Sequence, residues 1–271
     1  MGPQLALLRR IDAYLDAAPD GSATAVDVGP LRAFVSQAPW PFYVRPRPDL
    51  ELGAPGAVTA DDVRRAAAVL VEAGQAVSFE WVEQLVPSLR GALVESGLTV
   101  VSHPLLALAL DDGAERPRSR ARILDAGSPD LPTSLAVSDV GFAVAGTGNG
   151  PEGPVDRDAV TVDPALLDHV TTRIREGRSV VAVLDDPDGG VVATGWHQPL
   201  GATTEVVGVA TLPSFRRRGA AAEVVLRLLD DARRRGCTLA LLSASDDAVA
   251  RVYERVGFTR VGSCGAAAAR T

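Results

Sequence analysis

The run Arg216-Arg217-Arg218-Gly219-Ala220-Ala221 combines residue types and spacing suited to holding an anion. Apolar residues Val224, Val225, Leu228, Leu229 and Ala232 follow at helical spacing, so the run reads as a turn feeding a helix. The start of a helix leaves its first amide N–H groups without intrahelical acceptors and carries the positive end of the dipole. Gly219 and the small Ala220 and Ala221 let an anion approach that backbone, and the arginine guanidinium groups add charge that suits a phosphate. Dipole and free amides together favour an anion by about 0.3 to 2 kcal/mol before any side chain contributes. Taken alone, three arginines before a glycine more often mark a solvated basic turn. A second candidate is His197, in Trp196-His197-Gln198-Pro199, whose imidazole titrates near neutrality and could act as a base, although a lone histidine is usually structural.

The elements that must position these residues are legible over the second half of the chain. Arg122 to Leu124 reads as a short strand, and Leu131 to Phe142 and Pro164 to Arg175 as helices, the latter opening with proline in its first turn. Ser179 to Leu184 and Val191 to His197 form the two arms of a hairpin around Asp185-Asp186-Pro187-Asp188-Gly189-Gly190. Glu205 to Leu212 is a further strand. Arg233 to Arg235 and Gly236 end the helix after the arginine turn. Thr238 to Ser243 is a buried strand. Asp246 or Asp247 caps a last helix with Val249, Val252, Tyr253 and Val256 on one face, and Gly257 closes it before a strand from Phe258 to Val261. Cys264 to Ala269 is poor strand material, so this last strand is expected to fray or to pair elsewhere. Gly146 to Asp156 is rich in glycine and proline. Its Gly146-Thr147-Gly148-Asn149-Gly150 lacks the spacing of a dinucleotide loop, which leaves a mobile surface loop.

Asp111 to Arg120 is charged and without apolar period, which sets the expected division at residues 1–112 and 121–271. In the first part, Phe42 to Arg45 reads as a strand, Thr59 to Ala73 as a helix stopped by Gly74, Gln75 to Trp81 as a strand, Pro87 to Ser96 as a helix ended by Gly97, and Leu98 to Val101 as a strand. A shift of 160 residues lays Gly97-Leu98-Thr99-Val100-Val101 over Gly257-Phe258-Thr259-Arg260-Val261, a faint internal repeat.

The arginine turn and its surroundings resemble the GNAT acyltransferase superfamily. That family's signature is Arg or Gln, two residues, Gly, one residue, then Gly or Ala, and Arg216 to Ala221 satisfies it. Val209-Ala210-Thr211-Leu212-Pro213 is similar to the family's strand and proline before the loop. Val252-Tyr253-Glu254-Arg255-Val256-Gly257-Phe258 is similar to its tyrosine helix, glycine and phenylalanine. The resemblance covers about Arg122 to Gly262. It implies an α/β (α+β) fold with a mixed, splayed sheet flanked by helices, and acetyl-CoA wedged in the gap. Val209, Ala210 and Thr211 would line the pantetheine arm, and Arg216, Arg217, Arg218, Gly219, Ala220 and Ala221 would cradle the pyrophosphate. Tyr253 takes the place of the general acid, since its reference pKa of about 10 lies near the thiol's 8.5 or so. Glu205 takes the place of the general base, with His197 as alternative and Trp196 beside it facing substrate. Asp246 stands where relatives often carry a cofactor-touching asparagine. The first part has Ala54-Pro55-Gly56-Ala57 where the arginines would be and Leu93 where the shift puts Tyr253. It therefore looks like a degenerate domain of the same family in a tandem arrangement.

Composition bounds the alternatives. The net charge of −7 argues against a nucleic-acid or anionic-membrane partner. All basic residues are arginine, which excludes a lysine Schiff base. Two cysteines and three histidines without ligand spacing exclude a disulfide framework and give no metal site. No stretch is long and apolar enough to span a membrane, and no signal peptide is visible, so a cytoplasmic monomer or homodimer is expected. The activity implied is acetyl transfer from acetyl-CoA to a primary amine. The competing reading is a non-catalytic acetyl-CoA-binding regulatory protein.

Overall fold

The helix expected after Gly219 forms because its apolar residues fall on one stripe. Val224, Val225, Leu228, Leu229 and Ala232 are all 0% exposed in a computed structural model that describes residues 2–110 and 118–269. Residues 111–117, most of the charged segment at the expected division, lie outside the described residues.

In chain order, the first part contains α1 (Pro3–Ala17), β1 (Ala23–Val28), β2 (Leu31–Ser36), β3 (Val44–Pro46), α2 (Ala60–Glu72), β4 (Ser78–Val82), α3 (Pro87–Glu95) and β5 (Thr99–Ala109). The second contains β6 (Arg122–Leu124), α4 (Leu131–Ala143), α5 (Pro154–Asp158), α6 (Pro164–Arg175), β7 (Val180–Asp186), β8 (Gly190–Leu200) and β9 (Thr203–Thr211). After these come α7 (Ala220–Arg234), β10 (Leu239–Ser243), α8 (Asp247–Glu254) and β11 (Thr259–Ala268). Three features lie outside the sequence expectations: α1, the β1–β2 hairpin and α5. The caps follow local chemistry. Thr59 and Asp62 form a reciprocal capping box on α2, and the Asp246 carboxylate accepts from the amides of Ala248 and Val249 on α8.

Among the described residues the chain divides into two compact units. One is Met1–Leu106 with Ser243–Ser245 and Arg260–Thr271; the other is Ala107–Leu242 with Asp246–Thr259. In the first unit the strands run β1-β2-β3-β4-β11-β5. The core on one face joins Leu31, Val44, Phe79 and Trp81 to Val63 and Leu70 of α2 and to Leu89 and Leu93 of α3. β11 does not fray. It pairs antiparallel with β4 from Cys264 opposite Val82 to Ala268 opposite Ser78. Its small residues are required there, because a Cβ on Gly265 would lie 2.3 Å from Trp81 Cζ2.

In the second unit the order is β10-β9-β8-β7-β6, mixed in direction: β10 is parallel to β9, and the other neighbours are antiparallel. α4 covers one face with Leu131 and Val137 against Val181, Val183 and Leu212. α7 covers the other so closely that a Cβ on Gly195 of β8 would stand 2.7 Å from Val224 Cγ1. Among the described residues no helix is long and apolar enough to cross a membrane.

Two helix ends 160 residues apart in the sequence close with the same hydrogen bonds. Gly97 N donates to Val94 O and Leu98 N to Leu93 O. In the same pattern Gly257 N donates to Glu254 O and Phe258 N to Tyr253 O. Both glycines have positive φ, +83° and +106°, the left-handed conformation such an end requires.

Candidate active site

β9 and β10 pair in parallel at three positions, Thr203 with Leu239, Thr204 with Ala240 and Glu205 with Leu241. Beyond Glu205, β9 continues to Thr211 without β10 beside it. The N–H and C=O groups on that edge must then be satisfied by something other than the sheet. On its other edge β9 carries a bulge. Thr194 of β8 faces Ala210 and Trp196 faces Val207, so Gly208 and Val209 oppose the single Gly195. Gly208 has φ +62°, and the Trp196 ring lies over it, with Cδ1 2.7 Å from where a Cβ would be. Gly208, an isolated glycine within the strand pattern of Glu205 to Leu212, is the sequence signal for such a bulge.

After β9 the chain makes a single 3-10 turn, Pro213–Phe215, and reaches the arginines. Arg217 has φ 60°, a left-handed conformation uncommon outside glycine, and Gly219 follows at φ +83° as the N-cap of α7. Gly219 makes no side-chain cap, so the opening amides of α7 carry no capping group from it. The three guanidinium groups separate in role. Arg217 and Arg218 are exposed, and Arg218 lies 5.0 Å from the centroid of the Phe215 ring. Arg216 turns back into the protein. Its guanidinium donates to the carbonyl oxygens of Gly141 (2.6 Å), Val144 (2.9 Å), Gly148 (3.2 Å) and Thr211 (3.3 Å). Burial pulls its pKa down, opposed by Glu152.

This clamp corrects the expectation of a mobile loop from Gly146 to Asp156. Besides the bond from Arg216 to Gly148, Gly150 N donates to Pro213 O at 3.3 Å and Ser214 N to Glu152 O at 3.0 Å. The Gly141 end of α4 is held as tightly, for a Cβ there would lie 2.9 Å from Ala210 Cβ. Nothing in the arginine run itself distinguishes Arg216 from its neighbours, because its acceptors lie 68 to 75 residues away in sequence, apart from Thr211.

Tyr253 is half-buried on α8. Its ring stands edge-on to Phe258, with centroids 6.1 Å apart and planes at 73°. Burial pushes its phenol up to about 12, so the hydroxyl keeps its proton throughout the neutral range. Among the described residues no protein group hydrogen-bonds that hydroxyl.

Glu205 and His197 fall on opposite faces of the sheet. His197 pairs with Val206 and Gln198 with Glu205, so Glu205 shares a face with Gln198 and Trp196. Glu205 is half-buried at the point where β9 and β10 part. Trp196 is half-buried on the α4 side, packed against the core there. His197 faces α7 and is 0% exposed. Its Nδ1 lies 2.8 Å from Thr204 Oγ1 and its Nε2 3.0 Å from Asp231 Oδ2, and Asp231 also accepts from Arg235 Nε at 2.5 Å. This differs from the expectation of a base beside the substrate: both ring nitrogens are occupied, and the ring has no solvent contact. Burial alone would raise the Asp231 pKa, but the hydrogen bonds from His197 and Arg235 outweigh it and hold the carboxyl below its usual value. Asp246 spends its Oδ1 on the amides of Ala248 (2.7 Å) and Val249 (2.9 Å), which makes it the cap of α8.

Residues 153–258 match the model of the Acetyltransferase (GNAT) family. Among solved structures, the chain is similar to the GCN5-related N-acetyltransferase from Kribbella flavida. The TM-score is 0.68 and the identity 23%, with 98% of this chain and 96% of that one covered. It is similar to the GCN5-related N-acetyltransferase from Sphaerobacter thermophilus at TM-score 0.57 and 15% identity, covering 98% and 91%. A tandem GNAT protein from the clavulanic acid biosynthesis pathway gives TM-score 0.50 and 16% identity, covering 89% and 79%. At these identities the likeness is one of fold. A comparison with curated proteins finds no match.

Proposed function

We propose, from the match of residues 153–258 to the Acetyltransferase (GNAT) family model, that the protein transfers the acetyl group of acetyl-CoA to a primary amine by direct attack. The observation that carries this reading is the parting of β9 from β10 after Glu205, which leaves a strand edge leading toward the arginine turn. The residues present fit the donor. The free edge along Val209, Ala210 and Thr211 offers backbone groups to the amides of a pantetheine arm. The amides opening α7 at Gly219, Ala220 and Ala221, with exposed Arg217 and Arg218, offer donors and positive charge to a diphosphate. Arg216 contributes by holding the turn in shape, and Asp246 by fixing the start of α8. Acetyl-CoA supplies the activated acyl group as a thioester.

The remaining tasks fall to three residues. Glu205 removes a proton from the substrate ammonium, directly or through water, freeing the lone pair that attacks the acyl carbon. Trp196, on the same face, forms part of the wall against which the acceptor lies. Tyr253 gives its proton to the departing sulfur. With a phenol near 12 and a thiol near 8.5, leaving the phenolate behind would be uphill by about 5 kcal/mol. Tyr253 therefore takes back a proton from the attacking nitrogen, whose acidity rises once it bonds to the acyl carbon. The first unit is read as a domain of the same family that has lost this chemistry, with Leu93 at the place of Tyr253 and Pro55, which has no amide proton, before its helix. The protein is read as acting in the cytoplasm without nucleic acid or membrane, as a monomer or homodimer.

Calorimetric titration with acetyl-CoA, followed by a thiol-release assay over a panel of primary amines, tests the proposal. Saturable binding and amine-dependent release of CoA thiol are expected. Absence of binding by folded protein sinks the reading. Binding without release across the panel replaces it with the regulatory one.

A further inference from the structure

We propose that Thr204, His197 and Asp231 form a buried tie that positions the Glu205 carboxylate. The inference rests on the reading of Glu205 as the base of acetyl transfer. Glu205 sits where β9 is least regular. On one edge its rung with Leu241 is the last that β10 supplies, and on the other edge the bulge against β8 opens three residues later, at Gly208. Its neighbours Thr204 and Val206 point to the opposite face, toward α7, and are 0% and 5% exposed. There His197, the ladder partner of Val206, reaches along β9 to Thr204, with Nδ1 2.8 Å from Thr204 Oγ1. Its Nε2 lies 3.0 Å from Asp231 Oδ2 on α7. One ring thus joins β8, β9 and α7 directly behind Glu205.

The direction of each bond follows from its partners. The Asp231 carboxylate only accepts, so Nε2 carries a proton. Arg235 Nε donates to the same carboxylate oxygen at 2.5 Å and already balances its charge. A second cation, in a ring that is 0% exposed, would stand uncompensated. The ring is therefore neutral, and Nδ1 accepts from the Thr204 hydroxyl. Each donor from Thr204 through His197 to Asp231 meets an acceptor, which leaves the ring no free nitrogen for substrate. His197 and Thr204 are positioning residues and touch no reactant.

The polar character of the tie has a use. Apolar side chains would fill the same space at a lower cost of desolvation, but they fix no point along the strand. The hydroxyl meets Nδ1 at one register of β9 only. That hold matters here, because β9 beyond Glu205 has no β10 beside it and meets β8 through a bulge. A reacting group displaced by about 1 Å can lose about 10²-fold in rate. α7 also opens at the amides read as the diphosphate seat, so the tie refers base and acyl donor to one rigid helix.

The test compares Thr204→Val, nearly isosteric without the hydroxyl, with Thr204→Ser, which keeps it. Amide hydrogen exchange at Glu205 and Val206 is read beside steady-state kinetics with acetyl-CoA and a primary amine. Thr204→Val should quicken exchange at both amides and lower kcat, each by about tenfold or more, with KM for acetyl-CoA unchanged. Thr204→Ser should recover both. A role in stability alone would lower the urea midpoint without dividing kcat from KM. Unchanged exchange, or unchanged kcat, in folded Thr204→Val overturns the proposal. A wild type without turnover sinks acetyl transfer itself, and the exchange comparison, which needs no substrate, still decides whether the tie holds β9. Should Thr204→Val fail to fold, Asp231→Asn, which loosens the tie from α7, must quicken the same amides, and unchanged exchange overturns the proposal equally.

Discussion

Glu205 of β9 and Leu241 of β10 form the last rung of their parallel pair, so the carboxylate stands where the two strands separate. A group at the mouth of a parting sheet can meet an acceptor while its backbone stays fixed by β8 on the other side, where it pairs with Gln198. Replacing it by an amide removes the proposed base and leaves the strand intact. Glu205→Gln should lower kcat/KM by about 10²-fold or more and flatten the acidic limb of the pH–rate profile. An unaltered limb in the variant would place the base elsewhere.

Tyr253 leads to a different pH expectation. With its phenol near 12, it stays protonated and should impose no alkaline limb on the rate below about pH 10. Tyr253→Phe should lower kcat by about 10²-fold while leaving the dissociation constant for acetyl-CoA unchanged. Full turnover by folded Tyr253→Phe would remove the residue from the mechanism.

The arginines of the turn should separate by experiment as they do in space. Arg216→Ala removes donors from four carbonyl oxygens, and hydrogen exchange at residues 144–150 should quicken in the free protein. Arg218→Ala should leave that exchange unchanged, weaken acetyl-CoA binding, and reduce the dependence of that binding on salt. Equal exchange at 144–150 in both variants would show that Arg216 does not hold the loop.

The buried His197–Asp231 contact makes a stability prediction. His197→Ala takes one of two partners from Asp231, which keeps Arg235, and the ring nitrogen from Thr204, and opens a cavity in the core, so it should cost about 2 to 4 kcal/mol in urea unfolding. Asp231 is held below its unfolded value. Its contribution is therefore present above about pH 4 and is lost as pH falls through the lower folded value. Wild type should lose stability relative to Asp231→Asn over that window. A constant difference between the two proteins down to pH 2 would contradict the assignment.

Gly265 tests why a run of small residues forms a strand. A Cβ there would overlap the Trp81 ring, which is 1% exposed and has no room to yield. Gly265→Ala should destabilise the protein by about 1 to 3 kcal/mol, read as a lower urea midpoint. A midpoint at or above the wild-type value would show that β11 and β4 do not approach so closely.

The sequence by itself determined what neighbours along the chain can settle. α6 runs over Pro164–Arg175 as proline placement and periodicity predict, Asp246 caps α8, and Gly97 and Gly257 end their helices. The arginine turn was legible for the same reason, since the glycine, the small residues and the apolar stripe of α7 lie within one short window. Only the tertiary structure decided which way the side chains of that window point. Arg216, Arg217 and Arg218 are the same residue type, and Arg216 departs from the others because carbonyls of α4 and the following loop come within its reach. His197 was legible as a candidate base, yet Asp231, 34 residues later on α7, closes over it. Cys264 to Ala269 has weak strand propensity, yet β11 forms through Ala268 because β4 supplies its ladder and Trp81 demands small neighbours. Propensity and capping act over a few residues, whereas pairing and burial depend on segments that only folding brings together.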